Sequence, residues 1–395
     1  MATDTLPLFR NPQARRGPYP PALAGIIGLA AHAQAAARIT RWPGYAPTPL
    51  HRLDGYAARA GAAGVWYKDE GPRFGLGSFK ALGGAYAVER LLAERAGSDD
   101  TAALRAAARG MTVACATDGN HGRSVAWGAE RLGCRCVIYL HAGVSEGREA
   151  AIRRYGAEIR RVAGTYDDSV HQAAADAAHE GWTVVSDTSY PGYDHIPRLV
   201  MQGYQVMVQE ALEQMGGAPT HVFLQGGVGG LAAAVVGHLW DALGDARPTA
   251  VVVEPERAAC LYESARAGRP VALTGDIDTV MAGLCCGEVS LLAWDILREG
   301  ADWFATLPDA AVPGLMRGLA DGEGGVPVVA GESAVAGLGA LLRLAADPEA
   351  RRTLGIDSGS RILVFGTEGD TDPVLYEKLV GRPAAAVGLD RPAQG

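Results

Sequence analysis

The 395-residue sequence has no C-x-x-C pair among its cysteines, no H-E-x-x-H or other metal-ligand spacing among its nine histidines, no internal repeat and no surplus of positive charge. The first absence argues against a zinc ribbon or a thioredoxin-like redox centre, the second against a metal site. Cys115, Cys134, Cys136, Cys260, Cys285 and Cys286 read instead mostly as buried small hydrophobes in a reducing compartment. A bridge from Cys260 to Cys285 or Cys286 stays open, because spacing alone cannot decide it. With 36 basic against 44 acidic residues the formal charge is -8. That argues against a general affinity for nucleic acid or an anionic membrane surface and leaves room for a local phosphate pocket. The apolar stretch Ala24–Ala37 is interrupted by His32 and Gln34, is too short to span a bilayer and lies too far in for a signal peptide. The expected location is cytoplasmic.

What is present is the composition of an ordinary soluble globular protein, 48% hydrophobic and 20% charged. The length suits about two or three domains. Short β-branched runs occur at Val65–Lys68, Thr112–Thr117, Arg135–Leu140, Glu158–Val162, Thr183–Ser186, His221–Gln225, Thr249–Val253 and Arg361–Phe365. They alternate with stretches long enough for a helix, among them Ser78–Ala93, His121–Leu132, Glu146–Tyr155, Ser169–His179, Leu231–Leu243 and Ser333–Ala346. This alternation predicts α/β layers around a largely parallel sheet. Ala93–Ala108 reads as a surface helix with a polar break at Gly97–Thr101. Sites in such sheets form at the carboxyl ends of strands, where a loop turns into a helix. Three clusters sit at junctions of that kind.

Gly75-Leu76-Gly77-Ser78-Phe79-Lys80 follows the first of these strands and opens a helix, with Ser78 a reasonable N-cap. A cation at a helix start opposes the dipole, which would depress the pKa of Lys80, as a Schiff-base lysine requires. The bland reading is a solvated surface lysine. Ala116-Thr117-Asp118-Gly119-Asn120-His121-Gly122 has two glycines that permit close backbone approach to a carboxylate, or else is a plain Asp-Gly turn. Gln225-Gly226-Gly227-Val228-Gly229-Gly230-Leu231-Ala232 is a strand, a glycine loop and an Ala-rich helix, an arrangement suited to a phosphate. Its rival reading is a dinucleotide site, since Gly227–Ala232 fits G-x-G-x-x-A and Glu254 ends the next strand. A nicotinamide dehydrogenase leaves Lys80 and the Asp118–His121 loop without a role.

In this order, G-S-F-K, T-D-G-N-H-G and G-G-V-G-G resemble the fold type II pyridoxal-phosphate enzymes, which include threonine and serine dehydratases, threonine synthase and the tryptophan synthase β chain. Pro47-Thr48-Pro49-Leu50, Gly331-Glu332-Ser333-Ala334 and Gly366-Thr367-Glu368-Gly369-Asp370 are similar to early and late segments of that group. Within it, Tyr67–Ala85, Asp187–Tyr204, Val280–Leu284 and Thr367–Pro373 most resemble the diaminopropionate ammonia-lyases. The resemblance implies pyridoxal 5'-phosphate linked through Lys80 with Phe79 beside it, its phosphate held by Gly226, Gly227, Val228, Gly229 and Gly230, its 3-hydroxyl met by Asn120 and its ring nitrogen by Thr367. A hydroxyl does not force that nitrogen to be protonated, which leaves the ring a milder electron sink. Thr117, Asp118, Gly119, Asn120 and His121 would take the substrate carboxylate. The implied fold is two α/β domains with the cofactor between them, a large one from residues 1–88 and 192–395 and a smaller inserted one from 89–191, in a homodimer.

Asp118 is informative because dehydratases of this fold usually carry a small residue before G-N-H. A carboxylate there repels the substrate carboxylate unless a cation lies near, and a β-ammonium group would supply one. The expected reaction is α,β-elimination of 2,3-diaminopropionate to pyruvate and ammonia. Lys80 would take the α-proton of one enantiomer and Asp118 that of the other, so that both are accepted. Asp187 resembles a second carboxylate of the family's site, its bland alternative being a turn residue after a strand. Rival readings are a serine, threonine or hydroxyaspartate dehydratase, the dehydrogenase above, and a non-catalytic cofactor-binding protein. His121 reads also as a plain helix start, and Lys68-Asp69-Glu70 as structural.

Overall fold

The computed structural model describes residues 6–117 and 119–389. Asp118 lies outside the described residues, and with it the base expected there. The strands are β1 (Leu8–Arg10), β2 (Leu50–Arg52), β3 (Gly64–Asp69), β4 (Thr112–Ala116), β5 (Arg135–His141), β6 (Glu158–Val162), β7 (Thr183–Val184), β8 (His221–Gln225), β9 (Thr249–Pro255), β10 (Trp303–Leu307) and β11 (Arg361–Gly366). They form two sheets, a seven-stranded one in the order β1-β10-β9-β8-β11-β3-β2 and a four-stranded one in the order β6-β5-β4-β7. The five central strands of the large sheet run parallel, and β1 and β2 close its edges antiparallel. The small sheet is parallel throughout.

Strands covered by helices on both faces read as nearly continuous apolar runs, which is how Thr249-Ala-Val-Val-Val253 appears. Successive side chains then enter different cores. Val222, Leu224, Val252, Leu363 and Phe365 pack on one side of the large sheet, and Phe223, Val251, Val253, Ile362 and Val364 on the other. The small sheet divides likewise, with Val113, Cys115, Ile138 and Leu140 joining the first core and Ala114, Val137 and Tyr139 facing a minor cluster with Ala173. The two sheets thus share a core through one face of the smaller. Helix Lys80–Ala96 runs unbroken past residue 88 between them.

The alternating pattern found eight of these strands to within a residue or two at each end. It did not find β1, β2 or β10, two three-residue edge strands and a short apolar run too brief to show a period. Ala93–Ala108 divides as expected, with Asp100 capping a second helix, Thr101–Ala108, by accepting from the amides of Ala102 and Ala103. Ser78 does not cap: Phe79 precedes the helix in helical geometry, without a capping bond. The reason is that the segment is pinned to the chain leaving the interior strand β11, Ser78 bridging to Glu368 and the Phe79 amide donating to the Thr367 carbonyl. Pro21–Ile39 is long and apolar enough by length and composition to cross a membrane. It is broken into helices Pro21–Ala24 and Leu29–Ile39, the second packing on helix His195–Met215.

Beneath the start of the Lys80 helix lies a buried ionic network. Arg73 pairs with Glu70 at 2.8 Å and with Glu210 at 2.7 Å, Lys68 reaches Glu210 at 2.7 Å, and Thr48 donates to Glu70 at 2.6 Å. Lys68 and Glu70 therefore have the structural role expected of them, tying the Pro47–Leu50 segment, β3 and helix His195–Met215 to the loop that carries Lys80.

Candidate active site

β8, β11 and β3 are neighbours in the large sheet. Their carboxyl ends lead to the glycine loop, to Thr367 and, through the pinned loop, to Lys80. The adjacent small-sheet strands β4 and β7 lead to the Thr117–Asn120 loop and to Asp187. Both sheets therefore direct the carboxyl ends of their strands at one cleft, where α/β ligand sites form.

Lys80 Nζ and Asp187 Oδ2 are 2.5 Å apart, each side chain about one-fifth exposed to the cleft, at 21% and 18%. Burial works against the Lys80 ammonium, but the Asp187 charge and hydrogen bond outweigh it and hold the amine above its ordinary pKa. This corrects the expectation that the helix start would depress it: a carboxylate in contact wins over a dipole end. Burial likewise opposes the Asp187 charge, yet the charge and hydrogen bond of Lys80 hold its carboxyl well below the usual range. Asp187 thus meets Lys80 directly rather than standing as a plain turn residue. His121 Nδ1 lies 3.9 Å from Asp187, and its Nε2 meets the Val185 carbonyl at 2.9 Å. Burial lowers its pKa, so it stays neutral and does not compensate Asp187.

The glycine loop is shaped for close approach. Gly229 has φ +98°, a conformation side chains rarely adopt, and a Cβ on Gly227 would stand 3.1 Å from Cys286 Sγ. The Gly226 amide donates to the Val253 carbonyl. The amides of Gly227, Val228, Gly229 and Gly230 have no partner among the described residues and open helix Gly230–Leu243, the arrangement that receives a phosphate. Opposite, Thr117 Oγ1 accepts from the amides of Gly119 and Gly122, both at 3.1 Å, and so shapes its loop. The Asn120 and His121 amides are left at the start of helix Asn120–Leu132 to meet a carboxylate. Asn120 Nδ2 donates to Glu368 at 2.5 Å, keeping its second N–H and its Oδ1 for a further partner.

The sequence had assigned no role to Tyr204, Gln225, Glu368 or Arg148. Tyr204 is fully buried on helix His195–Met215, its ring 4.7 Å from that of Phe79 and its hydroxyl without a partner of ordinary geometry among the described residues. The charges of Lys80 and Asp187 both act on that hydroxyl, which burial keeps protonated. Tyr204 closes the Asp187–Tyr204 stretch and Gln225 opens the glycine cluster, so both stood in motifs whose other residues drew attention. Arg148, which reaches Glu332 at 3.0 Å, stood in none.

Two rival readings fail on geometry. Glu254, the acidic group a dinucleotide site would turn to a ribose, is fully buried and accepts from the amides of Leu261 at 2.8 Å and Tyr262 at 2.6 Å. Cys260 is a buried free thiol and forms no bridge. Among the described residues no cluster suits a metal ion.

A cradle of free amides, a lysine at its mouth and a hydroxyl on the neighbouring strand fit pyridoxal phosphate, and the chain belongs to the family of pyridoxal-phosphate dependent enzymes, whose pattern matches residues 41–359. It is 42% identical over 356 residues to the diaminopropionate ammonia-lyase of Escherichia coli K12, covering 87% of this chain and 89% of that one. It is also 30% identical to an L-threonine dehydratase of Mycobacterium leprae, over 90% of this chain and 75% of the relative. A crystal structure of the E. coli ammonia-lyase in complex with an aminoacrylate-PLP azomethine reaction intermediate superposes with a TM-score of 0.86 at 38% identity, covering 95% of this chain and 97% of that one.

Proposed function

We propose that this enzyme eliminates the β-amino group of D- and L-2,3-diaminopropionate, giving pyruvate and ammonia, with Lys80, Asp118 and Asp187 as its catalytic groups. The observation that carries the reading is the Lys80–Asp187 contact of 2.5 Å. Once the Lys80 nitrogen is committed to the cofactor, Asp187 loses its cation, and the neutral His121 supplies none. A substrate with a β-ammonium group replaces that cation, whereas a hydroxy amino acid does not. The cofactor, when bound, supplies an electron sink for the pair left by the α-proton.

The chain's own groups do the rest. The amides of Gly227, Val228, Gly229 and Gly230 would hold the phosphate, with Gly226 fixing the loop's course, Phe79 would stand beside the cofactor, and Asn120 and Thr367 would meet its hydroxyl and its ring nitrogen. The Asn120 and His121 amides, shaped by Thr117 and Gly119, orient the substrate carboxylate. Lys80 takes the α-proton of one enantiomer and Asp118 that of the other. Asp187 steadies the β-ammonium until its C–N bond breaks and the electron pair departs on ammonia. Residues 89–191 act as the smaller domain and cover the cleft. A homodimer, on the resemblance alone, and a cytoplasmic location, on the sequence reading, complete the proposal.

The test follows pyruvate and ammonia from D- and L-2,3-diaminopropionate, with serine and threonine in parallel. Twice as much ammonia as pyruvate is expected, with little turnover of the hydroxy amino acids. Turnover of serine or threonine alone would move the function to a dehydratase, the second reading, which the threonine dehydratase relative favours. In the same assay Asp118→Asn is expected to lose D-turnover more than L-turnover, and equal losses would refute the division between two bases.

A further inference from the structure

Gln225 is the last residue of β8 and is buried, at 1% exposure. Its Nε2 donates to the Phe365 carbonyl at 2.8 Å and to Thr367 Oγ1 at 3.0 Å, with the Ala334 carbonyl at 3.5 Å. Two carbonyls fix which end of the amide is nitrogen, because the flipped amide would set its oxygen against theirs. Thr367 Oγ1 is therefore an acceptor toward Gln225. Its own single proton must point elsewhere, and no acceptor for it stands among the described residues. The Thr367 carbonyl is taken by the Phe79 amide at 3.1 Å, which holds the residue in place beside Lys80.

We propose that Gln225 is a positioning residue that fixes Thr367 as a hydrogen-bond donor into the cleft, so that a cofactor ring nitrogen placed there is met by O–H and stays unprotonated. The inference rests on the proposed placing of Thr367 at that nitrogen and not on the identity of the substrate. An unprotonated ring is the weaker electron sink, so negative charge arising at the substrate α-carbon is passed on to the leaving group rather than held. A donor fixed in one sense thus favours elimination over transamination.

The sense of the bond can be reversed. In Gln225→Glu a carboxylate that ionises accepts from the Thr367 hydroxyl and turns its lone pair toward the cleft, which favours a protonated ring nitrogen; one held protonated by burial and the Phe365 and Ala334 carbonyls donates as the amide does, and Gln225→Met then decides. The readout is the 15N resonance of ring-labelled cofactor in the resting holoenzyme, without substrate. Wild type is expected at the position of a hydrogen-bonded, unprotonated pyridine, and Gln225→Glu upfield at that of a pyridinium, with faster loss of activity during turnover through transamination. Gln225→Met, uncharged and close in size, covers the case in which the buried carboxylate prevents folding; it frees the hydroxyl to rotate, so the resonance moves off the hydrogen-bonded position. Thr367→Val, which removes the hydroxyl, separates the two layers of the argument. If it leaves the resonance in place, Thr367 is not at the nitrogen and both the placing and the proposal fall. If it moves the resonance while neither Gln225 variant does, the placing stands and the role of Gln225 is refuted. A protonated nitrogen in the wild type would overturn the donor sense directly.

Discussion

At the scale of single residues, the Lys80–Asp187 pair sets the resting state of the cleft. Asp187, with its pKa depressed, contributes stability above the ordinary aspartate range and loses it as pH falls. Lys80, with its pKa raised, contributes below the ordinary lysine range and loses it as pH rises. The ammonium therefore persists through neutral pH, and the capture of the cofactor proposed for Lys80 waits on removal of its proton. Asp187→Asn leaves Lys80 facing burial without its counter-ion, which lowers its pKa. The midpoint of cofactor capture by apoprotein, followed by visible absorbance against pH, should move to lower pH, while turnover falls about 10²-fold or more as the charge proposed to steady the β-ammonium is lost. An unmoved midpoint would mean that Asp187 does not control the lysine.

At the scale of elements, the Lys80 helix and helix His195–Met215 meet through glycines. A Cβ on Gly203 would stand 2.1 Å from the Leu82 carbonyl, and one on Gly83 would stand 2.4 Å from the Tyr204 ring. This close packing lets Tyr204 reach the lysine. The ionic network anchors helix His195–Met215 to β3 and to the loop before the Lys80 helix, and its charged members are buried. Arg73→Leu strands Glu70 and Glu210 with Lys68 as their remaining cation. A loss of about 3–5 kcal/mol in urea unfolding is expected, the cost of breaking a buried pair by removing one partner. A loss within the range of an exposed ion pair would show that the charges relax into water.

At the scale of the whole molecule, the two sheets are joined across the cleft by a polar seam. Asn120 donates to Glu368, Ser145 to Asp372, and Arg148 to Glu332, while Arg123 donates to the carbonyls of Leu76 and Thr371. Burial, and then the Glu368 charge, hold the Glu332 carboxyl above its ordinary range despite Arg148. An acid raised on folding stabilises below its unfolded pKa, and that contribution fades as pH rises toward the folded value. The melting temperature is therefore expected to decline from weakly acid toward mildly alkaline pH, and Glu332→Gln to flatten that decline. An unchanged slope would mean that Glu332 ionises freely in the seam.

The sequence by itself determined the α/β class and most of the strands and singled out Lys80 and the glycine loop as candidates, because each rests on local chemistry: an apolar period, a strand running into glycines, a lysine opening a helix. It also carried the family, through motifs longer than any one site residue. The tertiary structure alone decided the charge state of Lys80, the seam between the sheets and the partners of Thr367. These depend on residues far apart in the chain, Gln225 with Thr367 brought together by the order of strands, and Lys80 with Asp187 and Arg148 with Glu332 by the packing of one sheet against the other. Strand order is a property of the closed sheet, and no window of sequence contains it.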